Sequence, residues 1–484
     1  MGDRTPRTAF VVALAAAIAG RIAIFVLLRS HWGWQPPYHL AFLSDQVRYD
    51  PSVHEYLVWQ MPLYSAFLKL AGSPPFGLYL AAPLLQTALQ LVAIAWLART
   101  LATVAAPRQP GAAFALAFVL GLDPWLCDTA IIMQPASLSA TVFIVLVERT
   151  VSLCAHMLSE RRLPAWTSPI LAGGLAAAAG SYLRVDFLTY AALPALAVGL
   201  MAWTSGITTL SQAAKYAIGG SVAAGLLVVA LLLPRAVYLQ TTTGTFTLTT
   251  NASGGTLWFG LGEIANPWMV PNPEDGDEPI EAFAVAHGHK WAYASVSSSR
   301  FFRALFYEHL REQPAFMLKL IAARLHRVTL GWPPASVSFY GEYEIPPGIS
   351  HLGEALGRGT PAYRLLLTRE YGPWVVKQLG LRYLADIMLW LMPLAALWYA
   401  VRPGARSPLL AIPLLAYAVG IGVFILVHWS ARYGQQFYWL GSFSAYLLAA
   451  SSGSIRTWTP EDAASPQRES GGTGRRAGLR SRWP

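Results

Sequence analysis

Phe10–Leu28 contains one charged residue, Arg21, in nineteen positions otherwise made of Ala, Val, Leu, Ile, Phe and Gly. A membrane-crossing helix needs about 20 such residues. Runs of this kind recur at about ten places by that criterion, over residues 9–29, 77–98, 111–124, 131–148, 167–184, 186–203, 216–237, 382–401, 408–427 and 436–451. With 55% of the 484 residues hydrophobic and 12% charged, there is too little polar surface to cover a water-soluble core of this size. The expected fold is an all-α integral membrane bundle of about ten helices. Residues 111–148 include Pro124 and Pro135, and a bent hairpin with its tip near the membrane interface is an alternative to two plain spans there.

Lys and Arg outnumber Asp and Glu by 35 to 25, a formal charge of +10. In a membrane chain the placement of these charges carries the information. Arg4 and Arg7, Arg99 and Arg108, Arg161 and Arg162, Lys215, Arg402 and Arg406, and Arg475, Arg476, Arg480 and Arg482 fall in alternate connections. That alternation puts both termini in the cytoplasm and argues against nucleic acid as a partner. The first run lacks a small-residue cleavage site before Arg29, so it reads as a retained helix. Cys127 and Cys154, the two cysteines, supply neither a disulfide framework nor a thiolate metal site.

This orientation leaves connections 30–76, 125–130, 238–381 and 428–435 on the extracytoplasmic side. The chain divides into an amino-terminal membrane module 1–237, an extracytoplasmic region 238–381, carboxy-terminal helices 382–451 and a basic tail 452–484. The tail's Gly, Ser, Pro and Arg content predicts disorder and attraction to anionic lipid. The extracytoplasmic region opens with "TTTGTFTLTTNASGGTLWFG", a composition that favours strand and turn, so a small α/β region is expected. Further on, Phe301, Leu305, Leu310, Met317, Leu320 and Ile321 alternate with Arg303, Arg311, Lys319, Arg324 and Arg327, an amphipathic helical pattern interrupted at Pro314.

The first outer connection contains "SDQVRYDPSVHEYLVWQMPLY", residues 44–64. Its Asp45-Gln46-Val47-Arg48-Tyr49, followed by Gln60-Met61-Pro62-Leu63-Tyr64, resembles the first outer loop of GT-C membrane glycosyltransferases. More narrowly it is similar to glycosyltransferase family 39 and its relatives, the protein O-mannosyltransferases, the lipid A aminoarabinose transferase and bacterial transferases acting on lipopolysaccharide core. The resemblance continues through "DPWLCDTAIIMQPASLSATVFIVLV", "GGLAAAAGSYLRVDFLTYAALPALAV", "YEHLREQPAFMLKLIAARLHRVTLGW" and "VHWSARYGQQFYWLGSFSAYLLAA", in the family's order. Gln46 and Trp59-Gln60 stand where the aminoarabinose branch carries a Glu and a Glu-Lys pair, which argues against that specific enzyme.

The resemblance implies a GT-C-type bundle that transfers a sugar from a polyprenyl-phosphate donor to a lipid, glycan or protein hydroxyl, with inversion. It also implies no cofactor beyond the lipid-linked donor, no catalytic metal and a bacterial plasma membrane location. Such chemistry needs a carboxylate near the attacking hydroxyl and cations near the departing phosphate. Asp45 is the expected general base, with Asp123 a second acidic candidate. Arg48 and Tyr49 are the expected donor-phosphate contacts, and His428, Arg432 and Tyr433, at the family's last outer turn, a second set. Asp45 and Arg48 share a face if their segment is helical. His54 and Glu55 are too few to define a metal site. Arg184 and Asp186 read as an ion pair fixing two helix ends, and Arg21 should face another helix or snorkel. Two other readings suit a multi-span chain: a lipid or solute transporter or flippase, and a polysaccharide polymerase or ligase using larger lipid-linked donors.

Overall fold

The computed structural model describes residues 4–27, 62–71, 81–104, 110–131, 135–248, 250, 253–271, 277–290, 295–329, 391–398, 408–427 and 437–451. The elements are α1 (Arg4–Leu27), α2 (Pro62–Leu70), α3 (Ala81–Val104), α4 (Pro110–Gly121), α5 (Pro124–Ile131), α6 (Pro135–Glu160) and α7 (Thr167–Ser181). A 3-10 stretch, Val185–Ala192, leads into α8 (Leu193–Thr204) and α9 (Leu210–Thr243). There follow α10 (Ser253–Phe259), a 3-10 turn Gly260–Glu263, α11 (Asp277–Ala286), α12 (Val296–Glu312) and α13 (Pro314–Thr329). Residues 391–398 are helical, and α14 (Ala411–Leu426) and α15 (Trp439–Ser451) complete the set.

Four of the described stretches are long and apolar enough to cross a membrane: Ala81–Leu101, Pro135–Glu160, Val185–Thr204 and Leu210–Thr243. Val11–Ala23 and Ala411–Leu426 are shorter apolar helices. This fits an all-α membrane protein, but the described residues do not reach ten spans. Asp123-Pro124 separates the expected span 111–124 from the next helix, because proline cannot extend the preceding one. Within 111–148 the described residues are helical over 111–121, 124–131 and 135–148.

Lipid tails are as apolar as leucine, so packing and polar contacts rather than hydrophobic transfer hold such helices together. The core centres on Phe143 of α6, whose ring lies 5.1 Å from Tyr190 and 5.4 Å from Phe437. Phe187 meets Tyr190 at 5.0 Å, edge to face. Gly173 lets α7 approach the 3-10 stretch; a Cβ there would run into Ala191 O. α9 lies at the periphery, with Ile218, Val222, Leu226 and Leu233 exposed. Its 34 residues extend about 50 Å, well beyond a hydrocarbon core of about 30 Å. Thr209 and Gln212 form a capping box at its start. Near Pro234, where the helix loses a backbone donor, the Tyr182 hydroxyl donates to Leu231 O.

The expectation of strand over residues 241–260 is corrected. Among the described residues there is no strand: 241–243 end α9, 245–248 and 250 are irregular, and 253–259 form α10. Thr241 and Thr242 donate their hydroxyls to Tyr238 O, and Thr243 donates to Leu239 O, so these threonines are satisfied within the helix. Gly244 closes it in the left-handed region at φ 69°. Further along, Trp258 is buried against Phe302, which draws the segment into helix despite its β-favouring composition. α10 to α13 share a core containing Trp258, Leu261, Ile280, Phe302, Phe306 and Leu320. The amphipathic pair breaks at Gln313, between α12 and α13, as Pro314 requires.

Candidate functional site

Polar groups buried in an apolar bundle must pair with one another or lose several kcal/mol each. The described chain concentrates such groups where α2 meets the bundle. Arg21 of α1 is 2% exposed. Its Nε donates to Gly121 O at 2.6 Å and its Nη1 to Gln90 Oε1 at 2.8 Å. Gly121 ends α4, so its carbonyl has no helical donor of its own and the guanidinium supplies one. Arg21 therefore faces neighbouring helices, as expected for a charge inside a span.

Gln86 and Gln90, one turn apart on α3, hold α5. Gln90 Nε2 donates to Ser137 Oγ at 3.1 Å and Thr129 Oγ1 at 3.2 Å. Gln86 Nε2 donates to Ala130 O at 3.0 Å and receives the Tyr64 hydroxyl on its Oε1 at 2.8 Å. Asp123 caps the other end of α5: its Oδ1 accepts from the Leu126 amide at 3.1 Å and its Oδ2 from the Ser442 hydroxyl at 2.9 Å. Pro124 is at the first helical position, where its missing amide costs nothing. An eight-residue helix has little stability alone, so α5 depends on contacts at both ends.

The loop's end is fixed to this network. Tyr64 is fully buried with Leu68, Ala82, Leu138 and Leu183, and the Leu63 amide donates to Tyr182 O at 3.0 Å. Nearby, Arg184 Nε meets Asp186 Oδ1 at 3.1 Å between α7 and the 3-10 stretch, the ion pair expected from the sequence.

A second buried constellation joins the helical region 253–329 to the bundle. Arg324 is 1% exposed and meets Glu263 through two bonds, Nε–Oε2 and Nη2–Oε1, both 3.0 Å. Nη2 also donates to Gly260 O at 2.9 Å, and Nη1 donates to Ile425 O at 3.0 Å, in the last turn of α14. The expectation that Arg324 lies on the polar face of its helix is thereby corrected: it follows Phe316 and Leu320 at four-residue steps, on the buried stripe.

In the same region His309 stacks on Trp268 at 4.6 Å. Its Nδ1 is 3.7 Å from Glu312 Oε2, which accepts from Trp268 Nε1 at 2.7 Å. Burial lowers its pKa, with Glu312 and Glu308 opposing that shift and His287 adding to it. The unfolded state therefore binds the proton more readily, and His309 contributes stability above about pH 6.5 that is lost as pH falls through the folded value. Wild-type protein should melt at lower temperature at pH 5.5 than at pH 7.5, and His309→Gln should narrow that difference. An equal difference in both would rule out His309 as its source.

Of the expected site residues, Asp123 is described. Asp45, Arg48, Tyr49, His428, Arg432 and Tyr433 lie outside the described residues, as do His54 and Glu55. Among the described residues no three His, Cys, Asp or Glu side chains converge to hold a metal. Gln86, Gln90, Glu263 and Arg324 do not stand out from the sequence as partners. The signal for the glutamines is a four-residue spacing inside an apolar helix. Comparison with protein-family models, curated proteins and solved structures finds no match.

Proposed function

We propose that the protein transfers a sugar from a polyprenyl-phosphate donor to an acceptor hydroxyl on the extracytoplasmic face of a bacterial plasma membrane, within a GT-C-type bundle of about ten spans. The observation that carries this reading is the anchoring of the Asp45–Arg48 loop's end: Tyr64 donates to Gln86, which bonds Ala130 O of α5, while Gln90, one turn along α3, bonds α1 and α6. That anchorage supports a rigid base for a loop bearing a carboxylate and a guanidinium where a lipid-borne phosphate leaves the bilayer.

In the reaction, the acceptor oxygen attacks the anomeric carbon as the bond from that carbon to the phosphate oxygen breaks. Asp45 takes the hydroxyl proton and polyprenyl phosphate departs. Arg48 stabilises the charge gathering on the phosphate, a task suited to paired N–H donors. Tyr49, His428, Arg432 and Tyr433 complete the donor contacts. Asp123 has both oxygens occupied as a cap, which favours Asp45 as the base.

A transporter reading draws on Arg21 and Glu148 inside apolar helices, but Arg21 bonds Gly121 and Gln90 while Glu148 accepts from Thr100. Binding tests the reading before catalysis does. Polyprenyl phosphate at a hundred times its Kd should stabilise the folded protein by about 2.7 kcal/mol, read as a raised melting temperature. Neutral polyprenol should not, and Arg48→Ala should lose most of the effect. Equal responses to both lipids would count against a phosphate site.

A further inference from the structure

At the end of the bundle away from α2, the seam between α3 and α6 carries charge on a lipid-facing surface. Leu85, Leu89, Val92 and Trp96 form an exposed stripe on α3, and Arg99 continues it one turn beyond Trp96. From α6, the Arg149 guanidinium lies over the Trp96 ring, 4.1 Å from its centroid, with its side chain 41% exposed. Two cations thus flank one indole.

Behind them Glu148 is 1% exposed. Its Oε1 accepts the Thr100 hydroxyl at 2.6 Å and its Oε2 lies 2.7 Å from Arg149 Nε. This holds Arg149 by its inner edge, while its Nη1 and Nη2 have no protein partner among the described residues. Arg99 has none there either.

The level of these groups follows from helix geometry. Helix α3 runs Ala81–Val104, and Arg99 lies 18 residues, about 27 Å, beyond Ala81, close to the hydrocarbon thickness of about 30 Å. Arg99 and Thr100 therefore lie where that leaflet's phosphates begin, and the Thr100–Glu148 bond puts Arg149 at the same depth. Exposed guanidinium donors at that level meet the lipid phosphates, the anionic acceptors of the leaflet surface. Glu148 neutralises one arginine, leaving the seam one uncompensated positive charge. The complement is a single phosphodiester whose headgroup brings no amine of its own.

We propose that the Arg99–Trp96–Arg149 seam is a binding site for an anionic phospholipid: the phosphate lies between the two arginines and an acyl chain runs along the Val92 stripe. The site is separate from the sugar-transfer reading and stands whether or not that reading holds.

The test is native mass spectrometry of the full chain, purified in mild detergent and equilibrated with equal phosphatidylglycerol and phosphatidylcholine. Wild type should retain phosphatidylglycerol in preference. Arg99→Gln should lower that retention about fivefold, the loss expected for one cation near a lipid surface. The paired change Glu148→Gln with Arg149→Gln, which avoids leaving a buried carboxylate alone, should lower it at least as much. Arg311→Gln, an exposed arginine on α12, should leave retention unchanged. Equal retention of the two lipids by wild type, or undiminished phosphatidylglycerol on both seam variants, would overturn the proposal.

Discussion

Asp45→Asn protein is expected to transfer sugar about a hundredfold to ten-thousandfold more slowly than wild type, the range associated with removal of a general base. Asparagine keeps the side chain's size and hydrogen-bonding reach but cannot take the acceptor proton. The loss should therefore fall on kcat, with the KM for donor little changed, because the phosphate contacts assigned to Arg48 and Arg432 remain. A variant affecting donor binding alone would show the opposite division. An undiminished rate in folded Asp45→Asn protein would remove this residue from the mechanism and leave the transferase reading without its base.

The second large effect is on folding. Arg324→Leu should destabilise the protein by about 3–5 kcal/mol, because it leaves Glu263 buried without its partner. The same change deprives Gly260 O and Ile425 O of a donor, loosening the 3-10 turn and the end of α14 together. Hydrogen exchange should rise across α10 to α13 and in the last turn of α14. Replacing both Glu263 and Arg324 by Met should restore much of the loss, since buried ion pairs exchange for apolar packing at little net cost. Wild-type exchange in the single variant would mean that the pair does not hold the region to the bundle.

These two residues illustrate what the sequence reveals and what it conceals. Apolar runs announce helices because their composition is local, and α3, α6, α8 and α9 follow from it. The Arg184–Asp186 pair is legible because its members are two residues apart. Arg324 is not: its charge suggests the polar face, while its register with Phe316 and Leu320 puts it on the buried one. Its partners, Glu263 and Ile425, are 61 and 101 residues away. Gln86 and Gln90 likewise take their meaning from α1, α5 and α6. The threonine-rich segment after α9 misleads for a related reason. Its β-favouring residues give way to side-chain bonds inside one helix and to the packing of Trp258 in another. Asp123 stands out as an acidic residue at a turn, but its place before Pro124 is equally the signature of a helix cap, and the structure gives it that work.

The most direct measurement of the central claim is transfer of labelled sugar from synthetic polyprenyl-phosphate monosaccharides to acceptors in a membrane extract, with purified wild-type protein beside Asp45→Asn. Wild type is expected to move the label from at least one donor and to release polyprenyl phosphate, while the variant does so at no more than about a hundredth of that rate. Folded wild-type protein that binds polyprenyl phosphate yet moves no label from any donor across the panel would contradict the claim.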